Sequence, residues 1–143
     1  MNRNWILAWT SLWIYLPAMI HLLQRDWFAF VLLSASGSFS ILHWLDNKPY
    51  SVNHCLDIAF GVANVIRIGW SVYTFPFLGF FCVQRWLQIE KDVDWETVTV
   101  VHLCFRYIGF WMAMTICCSW NTINWLVLPL SFVYALHIMY LWA

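Results

Sequence analysis

Apolar residues along this chain gather in long runs separated by short polar turns, the pattern of helices that cross a bilayer. The first run, Trp5 to Leu23, follows Asn2, Arg3 and Asn4 and carries Pro17 near its far end. It is longer than a secretory signal core and lacks a pair of small residues at a cleavage point, so it reads as an uncleaved span; a signal peptide is the alternative. The second run, Trp27 to Trp44, is bracketed by tryptophans as an interfacial belt would be and is joined to the first through Arg25 and Asp26. After the polar turn Asp46 to Asn53 comes a stretch from His54 to Leu87 that decides the topology. As one helix it would be roughly 50 Å long, well beyond a hydrocarbon core of about 30 Å. Gly69 and Pro76 lie near its middle, so it breaks into about His54 to Ser71 and Tyr73 to Leu87. Both halves are short for a crossing, and a re-entrant segment is the competing reading. The last spans are Thr97 to Trp120 and Thr122 to Trp142, separated by Asn121. The expected fold is an all-α, polytopic transmembrane bundle of about six spans, or five plus a re-entrant segment, in a single integral membrane domain over residues 1–143.

Composition agrees with that reading, because 63% of the residues are hydrophobic, 20% are aromatic and only 10% carry a charge. A soluble domain is about 25% charged. Zero net charge without a basic run excludes the electrostatic footprint of a nucleic-acid binder. The five cysteines lie mostly in apolar stretches, and the adjacent Cys117 and Cys118 point apart on a helix, so no disulfide framework is indicated. Charge placement favours six crossings. With the N-terminus inside, Arg3, Lys48, Arg85 and Lys91 fall inside and only Arg25 outside, whereas five crossings move Arg85 and Lys91 outside.

Ionisable groups in hydrocarbon are costly, so they face protein and mark a site or a structural pair. His54, Asp57, Gly61, Asn64 and Arg67 recur at spacings of three and four and form one stripe. Ser36, Ser40 and His43 share a face of the second span, where the small residues Ser34 to Ser38 allow a close neighbouring backbone. His102, Arg106 and Gly109 share a face of the fifth span, and Tyr134 and His137 lie three apart on the sixth. An even number of crossings puts His43, His54, Asp57, His102 and His137 at one depth, with His21 alone at the opposite surface. Such a shell suits zinc, which takes imidazole and carboxylate ligands and lowers the pKa of a bound water to about 7. A purely structural reading stands beside it: Asp57 pairs with Arg106 and the histidines donate to carbonyls between helices. A haem between histidines suits the chain less well, since only His21 lies at the other depth. Asp92, Asp94 and Glu96 read as a solvated loop that stabilises the start of the fifth helix. Trp5, Trp27, Trp44, Trp86, Trp95, Trp120 and Trp142 read as interfacial anchors without chemistry.

The pattern Ser40, Ile41, Leu42, His43 and Asp46 at the end of one span, Asp57 on the next and His137 near the C-terminal end resembles the CREST superfamily. That group includes alkaline ceramidases, lipid hydrolases that remodel GPI anchors, and progestin and adipoQ receptors. The resemblance implies zinc held by histidines, with Asp and Ser beside it, and a water that cleaves an amide or ester bond of a lipid. It assigns His43 and His137 as metal ligands, Asp57 to orienting a ligand or acting as general base, and Ser40 to the oxyanion or the water. Where the family has a second histidine on the last helix, Val133 and Leu141 flank His137, so His102 or His54 would supply the third imidazole. Phe39 stands where the family's serine usually lies. Arg106, one turn from His102, would bind a lipid phosphate or carboxylate.

Two functions are therefore carried forward. One is a zinc-dependent hydrolase of membrane lipids, with Ser40, His43, Asp57, His102, Arg106 and His137 as its site and, by the resemblance, an endoplasmic reticulum or Golgi membrane as its place. The other is a non-catalytic accessory subunit that packs against a membrane-protein partner or against copies of itself.

Overall fold

The structure is a computed structural model that describes residues 3–46, 48, 50–69, 74–89, 94–117 and 123–143. Among them every regular element is helical. Helix α1 comprises Arg3–Ser11 and Tyr15–Leu23, joined by a 3-10 turn at Leu12–Ile14. Pro17 explains the tightened turn, because it has no N–H to donate to the carbonyl four residues earlier. The other helices are α2 (Trp27–Asp46), α3 (Val52–Ile68), α4 (Thr74–Ile89), α5 (Trp95–Cys117) and α6 (Leu128–Trp142), the last entered through a π-type turn at Ile123–Val127. Four helical segments, Asn4–Leu23, Trp27–Asp46, Trp95–Thr115 and Trp125–Trp142, are long and apolar enough to cross a membrane. The chain is thus an all-α helical bundle of the integral membrane type.

Local signals place the helix ends. The Asp26 carboxylate accepts from the Ala29 N–H at 3.1 Å, Ser51 Oγ accepts from His54 N–H at 3.2 Å, and Asp94 accepts from Thr97 N–H at 2.7 Å. Asp94 also takes the Thr97 hydroxyl at 3.0 Å, and the Thr97 backbone bond holds its carboxyl below the usual carboxylate range. Helix α3 stops at Gly69, whose φ of 69° is left-handed. Pro76 falls in the first turn of α4, where a missing donor costs little. The stretch His54 to Leu87 is therefore an out-and-back pair of helices, α3 with 17 residues and α4 with 16. The charge of Lys91, the Asp92 carboxyl, Cys118, Trp120, Asn121 and the ends of the break at Ser71 and Tyr73 lie outside the described residues.

The six helices alternate in direction. Ile6, Leu7 and Ala8 at the start of α1 form one buried cluster with Trp44 near the end of α2, Leu103 in α5 and Leu141 at the end of α6. At this same end Asn53 of α3 donates to Asp46, and Gln84 of α4 is hydrogen-bonded to His102 of α5. The first and last turns of the chain are neighbours, as an even number of helices requires. A second cluster, Phe110, Met114, Val127 and Tyr134, fills the space between α5 and α6, with Trp13 stacked on Tyr134 at 4.6 Å between ring centroids.

The small-residue face of α2 packs on α1 as its composition predicts. A Cβ on Gly37 would lie 2.3 Å from Ile14 Cγ2 and 3.3 Å from the Tyr15 ring, and the Tyr15 hydroxyl bonds Ser38 at 2.6 Å. Gly61, in contrast, would meet nothing within 4 Å. Gly37→Ala is expected to cost about 1 to 3 kcal/mol through overpacking, while Gly61→Ala leaves stability unchanged or slightly raised; denaturant titration of the two variants in micelles measures both.

Candidate functional site

The polar groups converge on Arg106. It projects from α5 toward α1, where Nη1 donates to the Leu7 carbonyl, to Thr10 Oγ1 at 3.1 Å and to Ser11 Oγ at 2.5 Å. Nη2 donates to Ser40 Oγ of α2 at 2.8 Å. The guanidinium carbon lies 5.7 Å from the Trp44 ring centroid, so the cation also rests on an aromatic face. Ser11 Oγ is 2.8 Å from the Leu7 carbonyl and 3.2 Å from Ser40 Oγ. Asp57 of α3 lies on the same wall as Ser40, and the Arg106 charge acts on it. The Ser40 oxygen accepts from Arg106 and from Ser11. Arg106 and Asp57 are opposite charges on one wall, where the sequence suggests a direct pair; among the described residues no ion pair joins them. In a medium of low dielectric the hydrogen bonds of Arg106 matter, because an unpaired buried charge is far costlier than a hydrogen-bonded one.

Beside Arg106 lies a group of rings. His43 and His54 face each other with centroids 4.3 Å apart, and Trp44 meets His102 edge-on at 4.9 Å. His102 is buried, with its Nδ1 bonded to the Gln84 amide. His43 Nδ1 is buried and has no hydrogen-bond partner among the described residues.

These groups line the polar end of one cavity of about 310 Å³. Ser40, His43, His54, Asp57, Gln84, His102 and Arg106 are on its wall, and Leu33, Val62, Val65, Phe77, Leu78, Phe105 and Ala113 supply much of the rest. The volume falls at the lower end of the range of about 300 to 1,000 Å³ found for small-molecule pockets. Of the six site residues chosen from the sequence, five line this chamber: Ser40, His43, Asp57, His102 and Arg106. His137 does not. Its Nδ1 accepts from Trp13 Nε1 at 3.0 Å, on the side of the bundle where Trp13 stacks on Tyr134.

The ligand set His43, His102 and His137 therefore does not converge, and no group of three His, Cys, Asp or Glu placed to hold a metal occurs among the described residues. The residues present do not form the zinc shell that the resemblance implies. Arg106 likewise turns its Nη1 and Nη2 donors to α1 and Ser40, which makes it a clamp between helices. Trp44 departs from its expected role as an interfacial anchor: it is buried against His102 and Arg106, whereas Trp5, Trp27, Trp86, Trp95 and Trp142 are exposed.

Several partners escaped the sequence reading. Thr10 and Ser11 sit inside the first apolar run, one turn after Leu7, and the only signal for them is a pair of hydroxyls on one helix face. Gln84 and Trp13 carry no local signal, since each becomes functional by meeting a histidine of another helix.

Ser40→Ala is expected to cost about 1 to 3 kcal/mol by removing an acceptor of the buried Arg106, and Ser40→Thr restores most of it; thermal unfolding in micelles measures both. No family model, no curated protein and no solved structure matches this chain.

Proposed function

We propose that this chain is a multi-pass membrane protein that takes one lipid-like amphiphile into the chamber, polar end toward Asp57, His43 and His54 and apolar chain toward Leu33, Phe77 and Ala113. The observation that carries this reading is the gathering of five sequence-selected polar residues on the wall of one otherwise apolar cavity. Pockets of that kind bind by apolar contact and orient by a few convergent polar groups. The Asp57 carboxylate suits an amide N–H or a hydroxyl of the ligand, and the neutral imidazoles can accept or donate according to tautomer. A membrane-embedded chamber is supplied from the lipid phase, which favours a lipid over a water-soluble ligand.

The same wall favours a second reading, cleavage of an amide or ester bond in the bound lipid, which is the activity the CREST resemblance implies. Asp57 is a carboxylate on the chamber wall and would act as general base: a water adds to the acyl carbon, the C–N or C–O bond breaks, and the proton passes to the leaving amine or alcohol. No step is routed through a metal, because the histidines do not converge on one.

The test uses the full chain in phospholipid nanodiscs with a fluorescent ceramide and a fluorescent ester of the same chain length. Saturable binding to the wild type, abolished in Gly61→Leu without loss of thermal stability, supports the chamber; Gly61 lines it and its Cβ position is open. Release of fatty acid, lowered by about 100-fold or more in Asp57→Asn, supports catalysis. Equal binding by wild type and Gly61→Leu overturns the proposal, and stability only beside a co-purifying membrane protein favours the accessory-subunit reading.

A further inference from the structure

The end of the bundle opposite the Arg106 bridge holds a second buried cation. Arg67 lies in the last turn of α3, one turn beyond Asn64 on the same face. Its Nε and Nη2 atoms are buried and have no hydrogen-bond partner among the described residues. These two atoms form one edge of the guanidinium, the fork that receives two oxygens of a phosphate or carboxylate side by side. Arg67 is not among the residues that line the chamber.

The surroundings define what would fit. His21 of α1, buried at this end, is close enough for the Arg67 charge to act on it, and it lies 3.2 Å from the Asp26 carboxylate. Asp26 is the natural internal counter-ion, but its oxygens are directed to His21 and to the Ala29 N–H, which caps α2. Arg25, in the turn between α1 and α2, is exposed and adds a second positive charge. The charges at this end are thus Arg25 and Arg67 against Asp26, an excess of one positive charge, and the sequence of the two other connections at this end contains no charged residue. Trp27, 63% exposed at the start of α2, marks this level as the depth where tryptophan sits among lipid headgroups. A singly charged phosphodiester would both balance the excess and fill the fork.

We propose that the Nε and Nη2 edge of Arg67 binds the phosphate of a membrane phospholipid in the leaflet at the His21 end. The site is independent of the chamber: its ligand is a resident headgroup held at the rim of the bundle, between the ends of α1 and α3 and the start of α2. The bound phosphate supplies the acceptor pair that the described residues do not, and it fastens α3 at the end away from Asp57.

The experiment places the full chain in bilayers of phosphatidylcholine and in bilayers of a galactosyl diacylglycerol, which has no phosphate. Native mass spectrometry after extraction and thermal unfolding in each bilayer are the readouts. The wild type is expected to retain a phospholipid and to unfold at higher temperature in phosphatidylcholine. Arg67→Gln lowers retention about tenfold and removes the difference between bilayers, and Arg67→Lys falls between, since an ammonium cannot offer the fork. Gly61→Leu, which fills the chamber, keeps retention unchanged. Excess inorganic phosphate that restores the wild-type unfolding temperature in the galactolipid bilayer supports the phosphate edge with a free ion as an acceptable ligand. Retention by Arg67→Gln equal to wild type, or no dependence of the wild type on lipid phosphate, overturns the proposal.

Discussion

A guanidinium set among apolar helices must be surrounded by oxygens, and that requirement on Arg106 arranges much of this molecule. Its donors reach the Leu7 carbonyl, Thr10 and Ser11 on α1 and Ser40 on α2, and its charge acts on Asp57 of α3. Three helices, α1, α2 and α5, are thereby joined at one depth by a single side chain. The α1 to α2 contact allows this because Gly37 lets Ile14 and Tyr15 come close, with the Ser11 and Ser40 hydroxyls 3.2 Å apart. Sequence, close packing and charge compensation are links of one chain here: the small residues of α2 permit the approach, the approach positions Ser40, and Ser40 accepts from the cation.

The chamber follows from the same arrangement. Helix α3 packs along α2 and ends at Gly69, and α4 returns along α5, so the two shorter helices close a space whose other walls are α1, α2 and α5, with Tyr134 of α6. Ser40 and Arg106 are on the wall of that space, together with Asp57 and the facing rings of His43 and His54. Binding and fold are consequently not separable at this end, since Ser40 and Arg106 hold the helices together and shape the pocket. Ligand specificity falls instead on the imidazole of His43, whose Nδ1 has no hydrogen-bond partner among the described residues.

Periodicity carried the sequence reading as far as faces and ends. Of the stripe His54, Asp57, Gly61, Asn64 and Arg67 the first four are on the chamber wall and Arg67 is not, the break at Gly69 lies where the length argument requires it, and the first and last turns share an end. What periodicity could not supply is which residue of another helix stands opposite. Depth groups His137 with the other histidines, but depth fixes one coordinate only, and rotation about α6 turns it to Trp13. A place at a span end predicts a belt residue at Trp44; it is buried instead, with its ring against Arg106. Gln84 and the hydroxyls of Thr10 and Ser11 had no pattern at all, and their roles exist only as contacts between helices.

A double-mutant cycle on Asp57→Asn and Arg106→Gln, followed by unfolding in micelles, tests this charge compensation most directly. The second substitution is expected to cost clearly less once the first is present, with a coupling of about 1 kcal/mol or more, whereas costs that add to within about 0.3 to 0.5 kcal/mol would show that the two charges do not compensate each other.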